Sequence, residues 1–67
     1  METIDLGGGA TCEIYYNGSK WWYLNGKRHR TDGPAIEYAS GYKAWFINGK
    51  EYSEEDFNII KEVLWAI

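Results

Sequence analysis

The chain reads as a mainly β domain of the α+β kind, an antiparallel meander of about five to six short strands closed by one C-terminal helix. Three observations carry that expectation: a unit that recurs at a fixed interval, Asn-Gly signals spaced as hairpin turns, and a change from strand-like to helix-like patterning near the C-terminus.

The repeat comes first. Gly18-Ser19-Lys20-Trp21-Trp22-Tyr23-Leu24-Asn25-Gly26-Lys27 returns as Gly41-Tyr42-Lys43-Ala44-Trp45-Phe46-Ile47-Asn48-Gly49-Lys50, an offset of 23 (41 − 18), with six positions identical. Tyr15 and Tyr38 extend the match upstream. A period of this length marks a supersecondary unit that needs a neighbour to bury its apolar face.

Turns punctuate each unit. Asn-Gly occurs at Asn17-Gly18, Asn25-Gly26 and Asn48-Gly49, with Ser40-Gly41 standing in for the first in the second unit. Both central residues of a type I′ turn need positive φ, and Asn and Gly tolerate it best. Asp32-Gly33-Pro34 supplies a further turn. The segments between are rich in Trp, Tyr, Ile and Phe, which suit a pleated, half-buried surface. With two-residue turns throughout, alternation places Cys12, Ile14, Trp21 and Tyr23 on one face. Ile36, Tyr38, Trp45 and Ile47 then share the other, with Trp22 and Leu24. Both faces are thus apolar, and one helix can cover only one.

The helix is expected from Ser53. That residue is a suitable N-cap, Glu54, Glu55 and Asp56 place acid in the first turn, and Tyr52 and Phe57 are spaced as a hydrophobic staple. Phe57, Ile60, Val63, Leu64 and Ile67 fall on one helical stripe. The organisation expected is a single domain over 1–67: an N-terminal arm over 1–10 ending in the flexible link Gly7-Gly8-Gly9, a repeat β-sheet over 11–52, and the helix over 53–67.

Size and composition bound the chemistry. A 67-residue chain buries only about 60% of its unfolded surface, so it needs dense aromatic packing or oligomerisation, and four Trp, six Tyr and two Phe supply the former. Cys12 is the only cysteine and His29 the only histidine, which leaves no internal disulfide and a poor basis for a metal site. No cofactor is expected. A formal charge of -3 opposes nucleic acid and anionic lipid as partners. No run approaches the ~20 apolar residues of a membrane span. The expected compartment is the cytoplasm.

Candidate chemistry is sparse. His29 lies among Lys27, Arg28 and Arg30, yet as a residue of the repeat unit it is expected to pack against Trp22, as Tyr52 does at its place in the second unit. Glu13 and Glu37 could approach as a carboxylate pair, but a chain this small is not expected to form a pocket of about 300 Å³ or more. Cys12 is expected to be a buried structural thiol. The basic run beside Trp21, Trp22 and Tyr23 has the ingredients of a single-strand nucleic-acid platform, but alternation sends its charges to both faces.

A resemblance accompanies these residues. Tyr23-Leu24-Asn25-Gly26-Lys27-Arg28-His29 is similar to the aromatic-x-Asn-Gly-Lys-x-His core of MORN-type β-hairpin repeats. The continuation His29-Arg30-Thr31-Asp32-Gly33-Pro34-Ala35 more closely resembles a variant found in small phage proteins. It covers roughly 18–50, and Arg30 stands where MORN repeats proper carry Gly. The resemblance implies a phage-encoded, non-enzymatic module in the host cytoplasm. The expected partner is a host protein or protein complex: a host factor or immune system (anti-CRISPR or anti-defence), inhibited by surface occlusion. The contact residues expected are Trp21, Tyr23, Phe46 and Trp65, aromatics of the type that dominates interfaces. A homodimer through the aromatic face or the helix is expected too. The alternatives are an oligomeric sponge that captures a nucleotide signal with Arg28, Arg30 and an aromatic stacker, and a structural or scaffolding module.

Overall fold

A computed structural model describes residues 1–66, with side chains through 63. Seven strands and one helix run in the order β1 (Glu2–Gly7), β2 (Ala10–Ile14), β3 (Lys20–Leu24), β4 (Lys27–Arg28), β5 (Ile36–Glu37), β6 (Lys43–Ile47), β7 (Lys50–Tyr52) and α1 (Glu54–Ala66). The sheet is antiparallel in the order β1-β2-β3-β5-β6-β7, with β4 paired to β3 beside β5. This is the meander and closing helix expected from the repeat, with one strand more than the upper bound.

The added strand is the segment read as an arm. Residues Glu2 to Asp5 pair in register with Ile14 to Thr11, and Gly7, Gly8 and Gly9, all at positive φ, close a hairpin. The glycine triplet is therefore a turn. A Cβ on Gly9 would overlap the Asn25 side chain, and the Gly9 carbonyl accepts from the Asn25 N–H at 2.9 Å, so the hairpin docks on the first Asn-Gly turn.

The two kinds of turn in each unit differ in length. Asn25-Gly26 and Asn48-Gly49 have φ of 50 and 81°, and 52 and 84°, the signs a two-residue type I′ hairpin needs. Asn17-Gly18 does not close such a hairpin. There the Gly18 N–H bonds to the Tyr15 carbonyl and the Tyr15 N–H to the Ser19 carbonyl, both at 2.9 Å, leaving Tyr16-Asn17-Gly18 as a three-residue loop. Gly18 at φ 92° occupies the left-handed bulge position. Tyr38, Gly41 and Tyr42 repeat both bonds at 2.9 Å, so the 23-residue sequence period is also a period of the backbone.

That extra loop residue reverses the expected faces. Cys12 pairs with Trp22, and Glu13 with Trp21, where a two-residue turn would have set Cys12 opposite Tyr23. Likewise Ile36 pairs with Ala44 instead of Trp45. A one-residue change in register moves every side chain to the opposite side. The ladder Thr3–Glu13–Trp21–Ile36–Ala44 defines one face, called the front, together with Asp5, Thr11, Tyr23, Arg28, Phe46 and Glu51. Cys12, Ile14, Trp22, Leu24, Trp45 and Ile47 belong to the back.

The core sits at the middle of the sheet, where Ala35, Ile36, Ala44 and Phe46 are buried and Trp21 packs against them. Ala44 occupies the position in the second unit that Trp21 holds in the first. One indole fills the space, and a second would overpack it. The units are tied together by the buried Ser19 hydroxyl, which accepts from the Ala39 N–H at 3.1 Å, and by the Gly49 N–H bonding to the Arg28 carbonyl at 2.8 Å.

Helix α1 begins as expected, with Ser53 Oγ accepting from the Asp56 N–H at 3.1 Å and acidic residues meeting the positive end of the helix dipole. It packs against β6 and β7, and Phe57 is almost fully buried. The Asp32 carboxyl is held low mainly by Arg30, with a small further pull from the Lys61 charge on α1. Val63, expected on the buried stripe, is instead exposed, as is Ile59; Leu64 lies outside the side chains described, and Ile67 outside the described residues.

Candidate functional site

The front of the sheet carries a connected set of aromatic rings centred on Trp21. Trp21 lies near the start of β3, and Tyr15 and Tyr38, equivalent in the two units, close the three-residue hairpins to either side. Their rings meet the Trp21 ring edge-on at centroid distances of 6.4 and 6.0 Å, each at 63°. Tyr23 stacks along the same strand at 6.4 Å, and Tyr42 stacks on Tyr38 at 5.4 Å. Tyr38 and Tyr42 are 39% and 54% exposed, so the set reaches solvent along its length.

Two charged groups stand within it. Arg28 places its guanidinium 4.7 Å from the Trp21 ring centroid and 5.5 Å from that of Phe46, and no carboxylate lies within ion-pair distance of it among the described residues. Glu13 accepts a 2.9 Å hydrogen bond from the Tyr15 hydroxyl, which raises the pKa of that phenol. The Tyr23 phenol is pushed up as well, by burial first and then by the Glu13 charge. Both phenols therefore remain neutral donors at neutral pH.

Of the residues expected to make contact, Trp21, Tyr23, Phe46 and Arg28 come together here. Phe46 is buried under Arg28 and serves as floor. Trp65 lies in α1, but its side chain is outside those described. Tyr15, Tyr38 and Tyr42 complete the face and were not among the expected contacts. The signal for two of them is the matched pair Tyr15/Tyr38, which extends the repeat upstream.

Arg30 belongs elsewhere. Its guanidinium lies 3.8 Å from the Trp22 ring centroid on the back and bonds to Asp32 (2.8 Å), the Pro34 carbonyl (3.1 Å) and Glu37 (3.0 Å). Gly33 permits this, since a Cβ there would approach the guanidinium carbon to 3.0 Å. Arg28 and Arg30 thus face opposite sides, and Nε and Nη1 of Arg30 are engaged with acceptors of the chain itself, so the pair cannot clamp one phosphate against a shared stacker.

The back holds an open hollow of about 440 Å³ lined by Leu6, Ala10, Trp22, His29 and Arg30 among others, larger than expected for so short a chain. Two of its polar groups, His29 and Arg30, are engaged within the chain. His29 Nδ1 accepts from the Asn48 N–H at 2.9 Å, and burial lowers its pKa so that the imidazole is neutral. His29 lies across the hairpin from Trp22, bonded to its carbonyl through the backbone N–H, and Arg30 lies over the Trp22 ring. Glu13 and Glu37 lie on opposite faces and form no carboxylate pair. Cys12 is buried, and desolvation raises its thiol pKa away from the reactive thiolate. Among the described residues no three potential ligands come together as a metal site, and no helix is long and apolar enough to cross a membrane.

No protein-family model, curated protein or solved structure matches the chain.

Proposed function

We propose that the protein is a non-enzymatic module that binds another protein through the Trp21-centred front face. One observation carries this reading: the rings of Tyr15, Trp21, Tyr23, Tyr38 and Tyr42 are contiguous, and two of them, Tyr38 and Tyr42, are open to solvent. Tyr and Trp supply large, rigid contact area at low entropic cost, and they concentrate binding energy at protein interfaces. A folded domain has no structural need to leave Tyr42 in water beside Tyr38. The likeness to phage repeat proteins adds the proposal that the partner is a host factor and that binding inhibits it by covering its surface.

The test is site-specific photo-cross-linking in bacterial cells. A photoreactive residue at Tyr42 is expected to trap a discrete protein adduct, while one at Lys43, on the back by register, is not. Adducts at Lys43 with none at Tyr42 would refute the assignment of the face.

A further inference from the structure

We infer that the partner of the aromatic face presents a basic surface, with arginine and lysine side chains that reach the exposed tyrosines. This rests on the protein-binding reading above and names the chemistry of the partner.

The argument begins with how the sheet distributes its own charge. By register, Lys20, Lys27, Lys43 and Lys50 all fall on the back, and Arg30 joins them over Trp22. Arg28 is the only strand cation on the front, against three carboxylates, Asp5, Glu13 and Glu51. Counted over strand residues, the back sets its four lysines and Arg30 against Glu2 and Glu37, while the front is net acidic. Such a field draws in basic partners and repels phosphate backbones.

The rings give a second argument. On the back the chain covers aromatic faces with its own cations, Arg30 over Trp22 at 3.8 Å and Lys50 over Tyr52 at 5.2 Å. On the front, Arg28 does so for Trp21 and Phe46. Among the described residues no cation lies over Tyr15, Tyr38 or Tyr42. Those three rings are open to a guanidinium or ammonium from outside, an interaction that strengthens on desolvation.

A second copy of the chain is the competing occupant, because its lysine-bearing back would complement the front. That contact is head-to-tail, building a ring where its rotation closes and a filament where it does not.

The experiment uses the full chain, isotope-labelled for NMR, titrated separately with a ten-residue Arg-Gly-Ser peptide, its Glu-Gly-Ser counterpart and a neutral oligosaccharide. The arginine peptide is expected to shift resonances of Trp21, Tyr38 and Tyr42, and to bind more weakly as salt rises. The double substitution Glu13→Gln with Glu51→Gln, which keeps an acceptor for the Tyr15 hydroxyl, is expected to weaken that binding about fivefold. Circular dichroism confirms that the variant is folded. Binding of the glutamate peptide or the sugar at this face, no shifts with the arginine peptide at millimolar concentration, or concentration-dependent rings or filaments of the chain alone would each overturn the inference. The two proposals fail separately. A Tyr42 adduct with a protein whose contacting surface is acidic or neutral removes the basic-partner inference and leaves the protein-binding reading standing; absence of any front-face adduct removes both.

Discussion

His29 Nδ1 accepts the backbone N–H of Asn48 at 2.9 Å, so the only histidine of the chain fastens the turn of the second repeat unit to the end of the first. The acceptor must be unprotonated. Burial favours that state by lowering the imidazole pKa from its ordinary value near 6.5.

The sign of the pH dependence follows. Below about pH 6.5 the unfolded chain takes up a proton at His29 that the folded chain resists, so the unfolded state binds more protons and stability falls with pH. The contribution is complete above that value, and it declines as the pH drops toward the lowered folded-state pKa. The urea midpoint is expected to fall between about pH 7.5 and 5.5, and His29→Gln is expected to flatten the profile. Asp32, held low mainly by Arg30, loses its stabilising effect in the same direction but only in stronger acid, outside this window.

The two arginines, Arg30 half-buried and Arg28 exposed, predict unequal costs. Arg30 has a stacked ring and three acceptors, and its side chain is only 21% exposed. Arg30→Ala should lower unfolding free energy by about 2 to 3 kcal/mol, and Arg30→Lys should recover little of it because an ammonium cannot reproduce the planar fork. Arg28→Ala should cost only about 0.5 to 1 kcal/mol. Chemical denaturation of the three variants checks the order.

Gly8 and Gly9 both have positive φ, but only Gly9 faces an obstacle, the Asn25 side chain. Gly8→Ala should cost about 1 kcal/mol, and Gly9→Ala at least about 2 kcal/mol. Equal thermal shifts for the two would show that the hairpin does not dock on the Asn25-Gly26 turn.

Ser19 is 3% exposed, and its hydroxyl accepts the Ala39 N–H across the two units. Ser19→Ala strands that donor and should destabilise by about 1 to 2 kcal/mol. Hydrogen exchange at Ala39 should accelerate even where the variant stays folded, which locates the loss.

The sequence carried the meander, the helix start and the Asn-Gly turns because each depends on local chemistry: Asn and Gly at positive φ, a serine cap before acidic residues. It carried the faces wrongly because register is not local. Asn17-Gly18 and Asn25-Gly26 are the same dipeptide, yet one lies in a three-residue loop and the other forms a two-residue turn, a difference decided by how Tyr15 and Ser19 pair. The first strand was missed because three consecutive glycines read as slack, when the Asn25 backbone requires one of them as a close neighbour. At the site, Trp21, Tyr23, Phe46 and Arg28 were legible from composition alone. That Arg28 and Arg30 diverge was not, since it depends on Arg30 leaving the strand to reach Trp22 and Glu37.

The loops at Tyr16-Asn17-Gly18 and Ala39-Ser40-Gly41 behave as parity switches. Deleting Asn17 or Ser40 would keep every strand residue and every apolar side chain, yet exchange inside for outside along everything on one side of the cut. Variation in this fold is therefore free to change which side chains occupy a surface, but not to gain or lose one loop residue at a time; compensation would require a second change of the same parity.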